Sequence, residues 1–146
     1  MLTLTLTIGI AVSLVISEFF GLLAGGIVVP GYVAMLLDRP KALAGLVVLT
    51  AVTWGIVRSM ANVLMLFGSR RFAVTILVGI VISTGANSFL VDPEFALLEW
   101  SGLGYIVPGL IAHHWERQGV VATTLAIAIA APLTAILSKL AANFLN

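Results

Sequence analysis

Polar residues are sparse along this chain and punctuate it. Apolar runs extend from Met1 to Ser17, Gly21 to Leu37, Ala42 to Phe67, Phe72 to Val91, Gly104 to Ala112 and Val120 to Leu145. Between them lie Glu18, Asp38-Arg39-Pro40-Lys41, Gly68-Ser69-Arg70-Arg71, a long polar stretch from Asp92 to Gly102, and His113 to Gly119. Runs of about 20 apolar residues are the length a helix needs to cross a bilayer. Four of the runs predict spanning helices: Met1–Ser17, 42–67, 72–91 and 120–145, with Pro132 expected to kink the last. The Leu-Thr alternation from Leu2 to Thr7 has strand period. Thr hydroxyls bond back to the i−4 carbonyl, however, and isolated strands do not span lipid, so helix is expected there too. No Lys or Arg precedes Arg39 and no small-residue cleavage site follows, so the first run reads as a retained helix rather than a secretory signal.

The other two runs do not fit single helices. Gly21–Leu37 carries Gly21, Gly25, Gly26, Pro30 and Gly31. Proline removes a backbone donor and disfavours helix at the residue before it. The expectation is a descending piece to about Val29, a break, and a helix from about Gly31. The motif recurs. Gly26-Ile27-Val28-Val29-Pro30-Gly31-Tyr32-Val33-Ala34 aligns without a gap with Gly104-Tyr105-Ile106-Val107-Pro108-Gly109-Leu110-Ile111-Ala112. The same offset carries Asp38-Arg39 onto Glu116-Arg117. Two related halves are therefore expected, approximately 1–68 and 69–146, each a helix, a broken Pro-Gly segment and a long helix. Each Pro-Gly segment is about long enough to cross when partly helical, which favours three crossings per half and inverted halves. Two crossings per half, with parallel halves, is the alternative. Arg39 and Lys41 at one end of the long helix balance Arg70 and Arg71 at the other, so the positive-inside rule does not arbitrate.

Composition sets the class. The chain has 146 residues, 61% hydrophobic and 9% charged, with mean hydropathy +1.20. Soluble domains carry about 25% charged residues. The reading is an all-α integral membrane protein in one transmembrane domain. A formal net charge of +1 offers no basic patch for nucleic acid. Absence of Cys excludes thiolate chemistry, disulfides and Cys-ligated metals.

Candidate chemistry centres on the breaks. Helices starting at Gly31 and Gly109 would expose unpaired amides and a positive dipole end at depth, favouring a carboxylate or phosphate. Arg39 and Arg117 would add charge. The competing reading is that the breaks pack the halves together and that each acid-Arg pair is a local ion pair. The candidate polymer- or anion-binding set is Pro30, Gly31, Arg39, Arg58, Arg70, Arg71, Pro108, Gly109 and Arg117. Glu18 and Glu116 are candidate functional carboxylates, Glu18 reading alternatively as an interfacial helix end. Arg58 and Asn62, at i and i+4, share a helix face expected to look inward, unless Arg58 snorkels from near the helix end. Asp92, Glu94 and Glu99, beside Pro93, read as a solvated turn, and Trp100 and Tyr105 as an aromatic belt. His113 and His114 point about 100° apart on a helix, so they make a poor shared metal site. No Gly-x-x-x-x-Gly-Lys-Ser/Thr loop and no Gly-x-Ser-x-Gly elbow occurs. Catalytic residues, a metal and a cofactor are therefore not expected in this chain.

The sequence resembles the poly-gamma-glutamate synthesis protein C family, the capsule biosynthesis protein CapC or PgsC family. The stretches that carry the likeness are Ser17-Glu18, Val28 to Tyr32, Gly68-Ser69-Arg70-Arg71-Phe72-Ala73, Gly102 to Ala112 and Arg117-Gln118-Gly119. The resemblance implies the membrane subunit of a poly-gamma-glutamate synthetase in a bacterial or archaeal cell membrane. It implies a Mur-ligase-like ATP-dependent amide ligase as partner (protein B, PgsB or CapB type) and a surface-associated protein A (PgsA or CapA type). ATP and a divalent metal would belong to the ligase. The chain would then be a non-catalytic or co-catalytic subunit that supports polymerisation and export of the anionic polymer. An independent small-anion transporter or channel, and a non-conducting scaffold for the ligase, are the alternatives. Few polar residues per helix make one copy thin for a wide pore, which favours a homo-oligomer.

Overall fold

The computed structural model describes residues 2–65, 67–89 and 103–145, and every regular element there is helical. The order is α1 (Leu2–Phe20), α2 (Val29–Leu36), α3 (Pro40–Ala61), α4 (Ser69–Phe89), α5 (Leu103–Gln118) and α6 (Val120–Leu145). The acidic stretch with Asp92, Glu94, Glu99 and Trp100 lies outside the described residues.

Helices α1, α3, α4 and α6 are each long and apolar enough to cross a membrane. Several of their hydroxyls close on their own backbone, as expected for the Leu-Thr alternation. Thr7 Oγ1 donates to the Thr3 carbonyl at 2.7 Å, Thr50 to Leu46 at 2.7 Å and Thr134 to Ala130 at 2.8 Å. A threonine that satisfies its hydroxyl within one turn presents only a methyl to its neighbours, so it is compatible with an apolar bundle. Helix α3 stops at Ala61, short of the expected Phe67. Asn62 caps it, and the amides of Val63 and Leu64 both donate to the Met60 carbonyl, closing the end.

The two Pro-Gly segments differ. Residues 21–28 are not helical, and Gly21, Gly25 and Gly26 take positive φ. Helix α2 begins at Val29, with Pro30 in its first turn, where a missing N–H leaves no bond unmade. Helix α5 instead runs unbroken through Pro108, so the helix start expected at Gly109 is not there. The reason is local. Gly25 and Gly26 let the first segment leave helical space together, whereas Leu103, which aligns with Gly25, is disfavoured at positive φ.

Residues 21–36 run back along α1 toward its start. Ser13 Oγ donates to the Gly26 carbonyl at 3.4 Å, and a Cβ on Gly31 would lie 3.1 Å from Leu6 Cα. A Cβ on Gly9 would lie 2.5 Å from Gly31 Cα, so the two backbones touch. The same contact joins α4 to α5: a Cβ on Gly79 would lie 2.8 Å from Gly109 N, and one on Gly109 would lie 2.9 Å from Ile76 Cα. The long helices then cross over. Thr134 of α6 lies beside Gly9, and Thr53 of α3 lies beside Gly79. Helices α2 and α5 form the middle, where Val29, Tyr32, Val33 and Leu36 pack with Val107 and Ile111. Leu14, Val15, Val47, Val48, Leu125 and Ile129 remain exposed on the outside, as a lipid-facing surface requires.

Candidate functional site: a basic cleft at one end of the bundle

Five helix ends meet at one end of the molecule. Arg71 in the first turn of α4 pairs with Glu116 near the end of α5. Trp54 near the end of α3 packs edge-on against Trp115 of α5, with ring centroids 6.3 Å apart. The last residues of α1 and the first of α6 share one groove, which Ile16, Phe20, Val120 and Val121 line. Gln118, the last residue of α5, clamps the unwound segment after α1. It accepts from the Leu23 amide at 2.8 Å and donates to the Leu23 carbonyl at 2.9 Å.

Between α4 and α5 this end opens into a cleft of about 680 Å³, lined by Gly68, Ser69, Arg71, Phe72, His113, His114 and Arg117. The helical period builds it: residues 113, 114 and 117 of α5 share one side over a single turn. Phe72 meets the His113 ring edge-on at 4.9 Å, and the two histidine rings stand 5.6 Å apart. His114 Nδ1 lies 2.8 Å from the Leu110 carbonyl, which fixes that nitrogen as the donor. The Glu116 carboxylate is 11% exposed and the Arg71 side chain 34%. Arg71 Nε is buried with no hydrogen-bond partner among the described residues. Arg58 sits over the Trp54 ring, 5.2 Å from its centroid, a cation–π distance.

The candidate residues fall into three groups. Arg58, Arg70, Arg71, Arg117 and Glu116 gather at this end, and Glu18, exposed within a turn of the end of α1, belongs there too. Arg39 lies at the opposite end, in a shallow cleft of about 270 Å³ with Asp38, Pro40 and Lys41. Pro30, Gly31, Pro108 and Gly109 are buried at the two helix crossings, against backbone. Two expectations are corrected. Glu116 pairs across helices with Arg71, because helical spacing turns adjacent residues about 100° apart and α4 supplies a cation on the right side. Arg58 and Asn62 are both exposed rather than facing inward, since α3 ends at Ala61 and leaves them at its rim. No group of three or more His, Cys, Asp or Glu suited to a metal occurs among the described residues.

Sequence reasoning missed the Gln118 clamp and the glycines that meet Gly31 and Gly109. A signal for the glycines is present. Thr5-Leu6-Thr7-Ile8-Gly9-Ile10 aligns with Thr75-Ile76-Leu77-Val78-Gly79-Ile80, and Ser13 with Ser83, at a shorter offset than that of the Pro-Gly segments. The changed offset hides the match, because the connection to the second Pro-Gly segment is longer. Nothing local in the sequence marks Gln118 as a partner of Leu23.

These features define a multi-pass helical membrane protein with a basic cleft at one end of the bundle. Residues 8–124 match the family described as capsule biosynthesis CapC. The chain is 34% identical over 120 residues to the capsule biosynthesis protein CapC of Bacillus anthracis, covering 82% of this chain and 80% of that protein. It is 32% identical over 123 residues to the PGA biosynthesis protein CapC of Bacillus subtilis strain 168, covering 84% and 83%. The chain belongs to the capsule biosynthesis CapC family. No solved structure matches it.

Proposed function

We propose that this chain is the membrane subunit of a poly-gamma-glutamate capsule synthetase. The observation that carries the reading is the match to two capsule or PGA biosynthesis proteins over about four-fifths of each chain. The gathering of Arg58, Arg70, Arg71 and Arg117 at one end supports it. A polymer with one carboxylate per residue needs fixed positive charge where it meets the membrane. In this reading an ATP-dependent amide ligase, with its own ATP and divalent metal, elongates the polymer, and a surface-associated subunit acts on the outer side. The chain receives the polymer and supports its export from the cell membrane.

The halves are proposed to be inverted repeats. The paired contacts Gly9–Gly31 and Gly79–Gly109, and the matching places of Thr134 and Thr53, support a pseudo-twofold relation between them. Residues 21–36 run back alongside α1, whose 19 residues rise about 28 Å, close to the thickness of the hydrocarbon core. The functional test is polymer yield in cells that depend on this chain. Arg117→Ala or Arg70→Ala should cut the yield several-fold while the ligase still co-purifies. Unchanged yield in both variants would overturn the charged path.

A further inference from the structure

Arg71, which lines the basic cleft, is already paired with a carboxylate, and it is the protein's own. Glu116 is nearly buried and paired with Arg71, while Arg117, one residue later, lines the cleft as an exposed second guanidinium. A guanidinium carries five N–H donors, and a single carboxylate engages two of them at most. Arg71 is a third exposed, and its Nε is buried with no hydrogen-bond partner among the described residues. Its bonding capacity is therefore not exhausted by Glu116. The occupant is a carboxylate, the group that each unit of a γ-linked glutamyl chain leaves free at its α-carbon.

We propose that Arg71 and Arg117, in the cleft walled by His113 and His114, bind a carboxylate of a glutamyl chain, and that Glu116 holds Arg71 as an internal stand-in until that carboxylate displaces it. This rests on the polymer reading above. The exchange replaces one carboxylate by another at Arg71, so it is close to neutral there. Arg117 supplies the attraction that favours the incoming group, and the released Glu116 turns toward water at the end of α5. The stand-in keeps the empty cleft from presenting an uncompensated, half-buried guanidinium, which would be costly. It also sets a threshold: only a ligand with several carboxylates, held by avidity, competes well with a group tethered in place. That favours a chain over a free amino acid.

The experiment uses the full chain and its variants in nanodiscs of uncharged phosphatidylcholine. A γ-linked glutamate oligomer, its methyl ester and inorganic phosphate are titrated, with Trp fluorescence as the readout and thermal stability measured in parallel. Trp115 precedes Glu116 and reports on it. The oligomer is expected to bind and the ester not. Arg71→Ala and Arg117→Ala should each weaken binding about tenfold. Glu116→Gln should tighten it about fivefold, because it removes the competitor. No oligomer binding by either wild type or Glu116→Gln would overturn the proposal. So would a Glu116→Gln variant of normal stability that binds as poorly as Arg71→Ala, since Glu116 would then be a structural pin. Phosphate binding as tight as the oligomer's would overturn the carboxylate assignment in favour of a headgroup site. If capsule synthesis in cells needs the chain but the purified chain fails these titrations, this inference falls and the reading above stands. If the titrations succeed but cells make capsule without the chain, the reading above falls instead.

Discussion

The crossings at Gly31 and Gly109 are built alike and behave differently. Each brings a Pro-Gly backbone into contact with a glycine of the preceding long helix, and in each a threonine from the other long helix lies alongside. At Gly31 the chain arrives from eight non-helical residues, whereas at Gly109 it arrives within a continuous helix. The difference shows that close contact, not the break, is what the motif secures. Small residues let backbones approach in an apolar bundle, where packing rather than water drives association. Whether the proline also ends a helix depends on its upstream neighbours: Gly25-Gly26 in one case, Leu103-Gly104 in the other. The unwound stretch, packed inside an apolar bundle, then needs partners for its backbone, and Gln118 and Ser13 supply them. The position aligned with Gln118 in the first half is Pro40, which has no side-chain amide to offer.

Both crossings are most sensitive at the glycines themselves. Gly9→Val and Gly79→Val place a side chain against facing backbone that has no flexible atom to move. Each should cost more than about 3 kcal/mol and leave little folded protein, which size-exclusion profiles and Tm in detergent would show. Gly55→Ala and Gly85→Ala meet open space, so the same measurements should find them neutral or slightly stabilising. A large loss at Gly9 with none at Gly79 would mean that the two crossings are not equivalent.

The clamp gives a smaller and one-sided effect. Gln118→Ala removes two hydrogen bonds to Leu23 and should destabilise by about 1–3 kcal/mol. Hydrogen exchange should rise across residues 21–28 and stay unchanged within α5. Exchange rising equally in both segments would show that Gln118 supports α5 rather than the unwound stretch. The smallest effect is expected at the paired threonines. Thr53→Val and Thr134→Val remove hydroxyls that bond only their own helix at 2.7 and 2.8 Å, so each should change stability by less than about 1 kcal/mol.

Much of this fold is legible in the sequence, and the limits have physical causes. The four long helices follow from run length alone, and α6 occupies the expected span. The repeat is visible because Pro-Gly is rare in apolar segments. Its first helix is not visible at the offset of the Pro-Gly segments, since the longer connection in the second half shifts the register. The site is half legible. That arginines matter can be read from their cost in an apolar chain. That Arg58, Arg71 and Arg117 meet at one end while Arg39 does not requires the direction of every helix. Adjacent residues such as Glu116 and Arg117 look like a pair in sequence, yet the helix turns them apart and Arg71, on a different helix, becomes the partner.

If the Pro-Gly segments cross from end to end, as proposed, the basic cleft and Arg39 lie on opposite faces of the membrane. The chain has no cysteine, so single cysteines report cleanly. Ser69→Cys, Gly119→Cys, Lys41→Cys and Lys139→Cys stand at exposed positions. They are labelled with a membrane-impermeant maleimide in intact and in permeabilised cells. Ser69→Cys and Gly119→Cys should react from one side, and Lys41→Cys and Lys139→Cys from the other. Labelling of Lys41→Cys from the same side as Gly119→Cys would contradict the crossing, and with it the placing of the arginines.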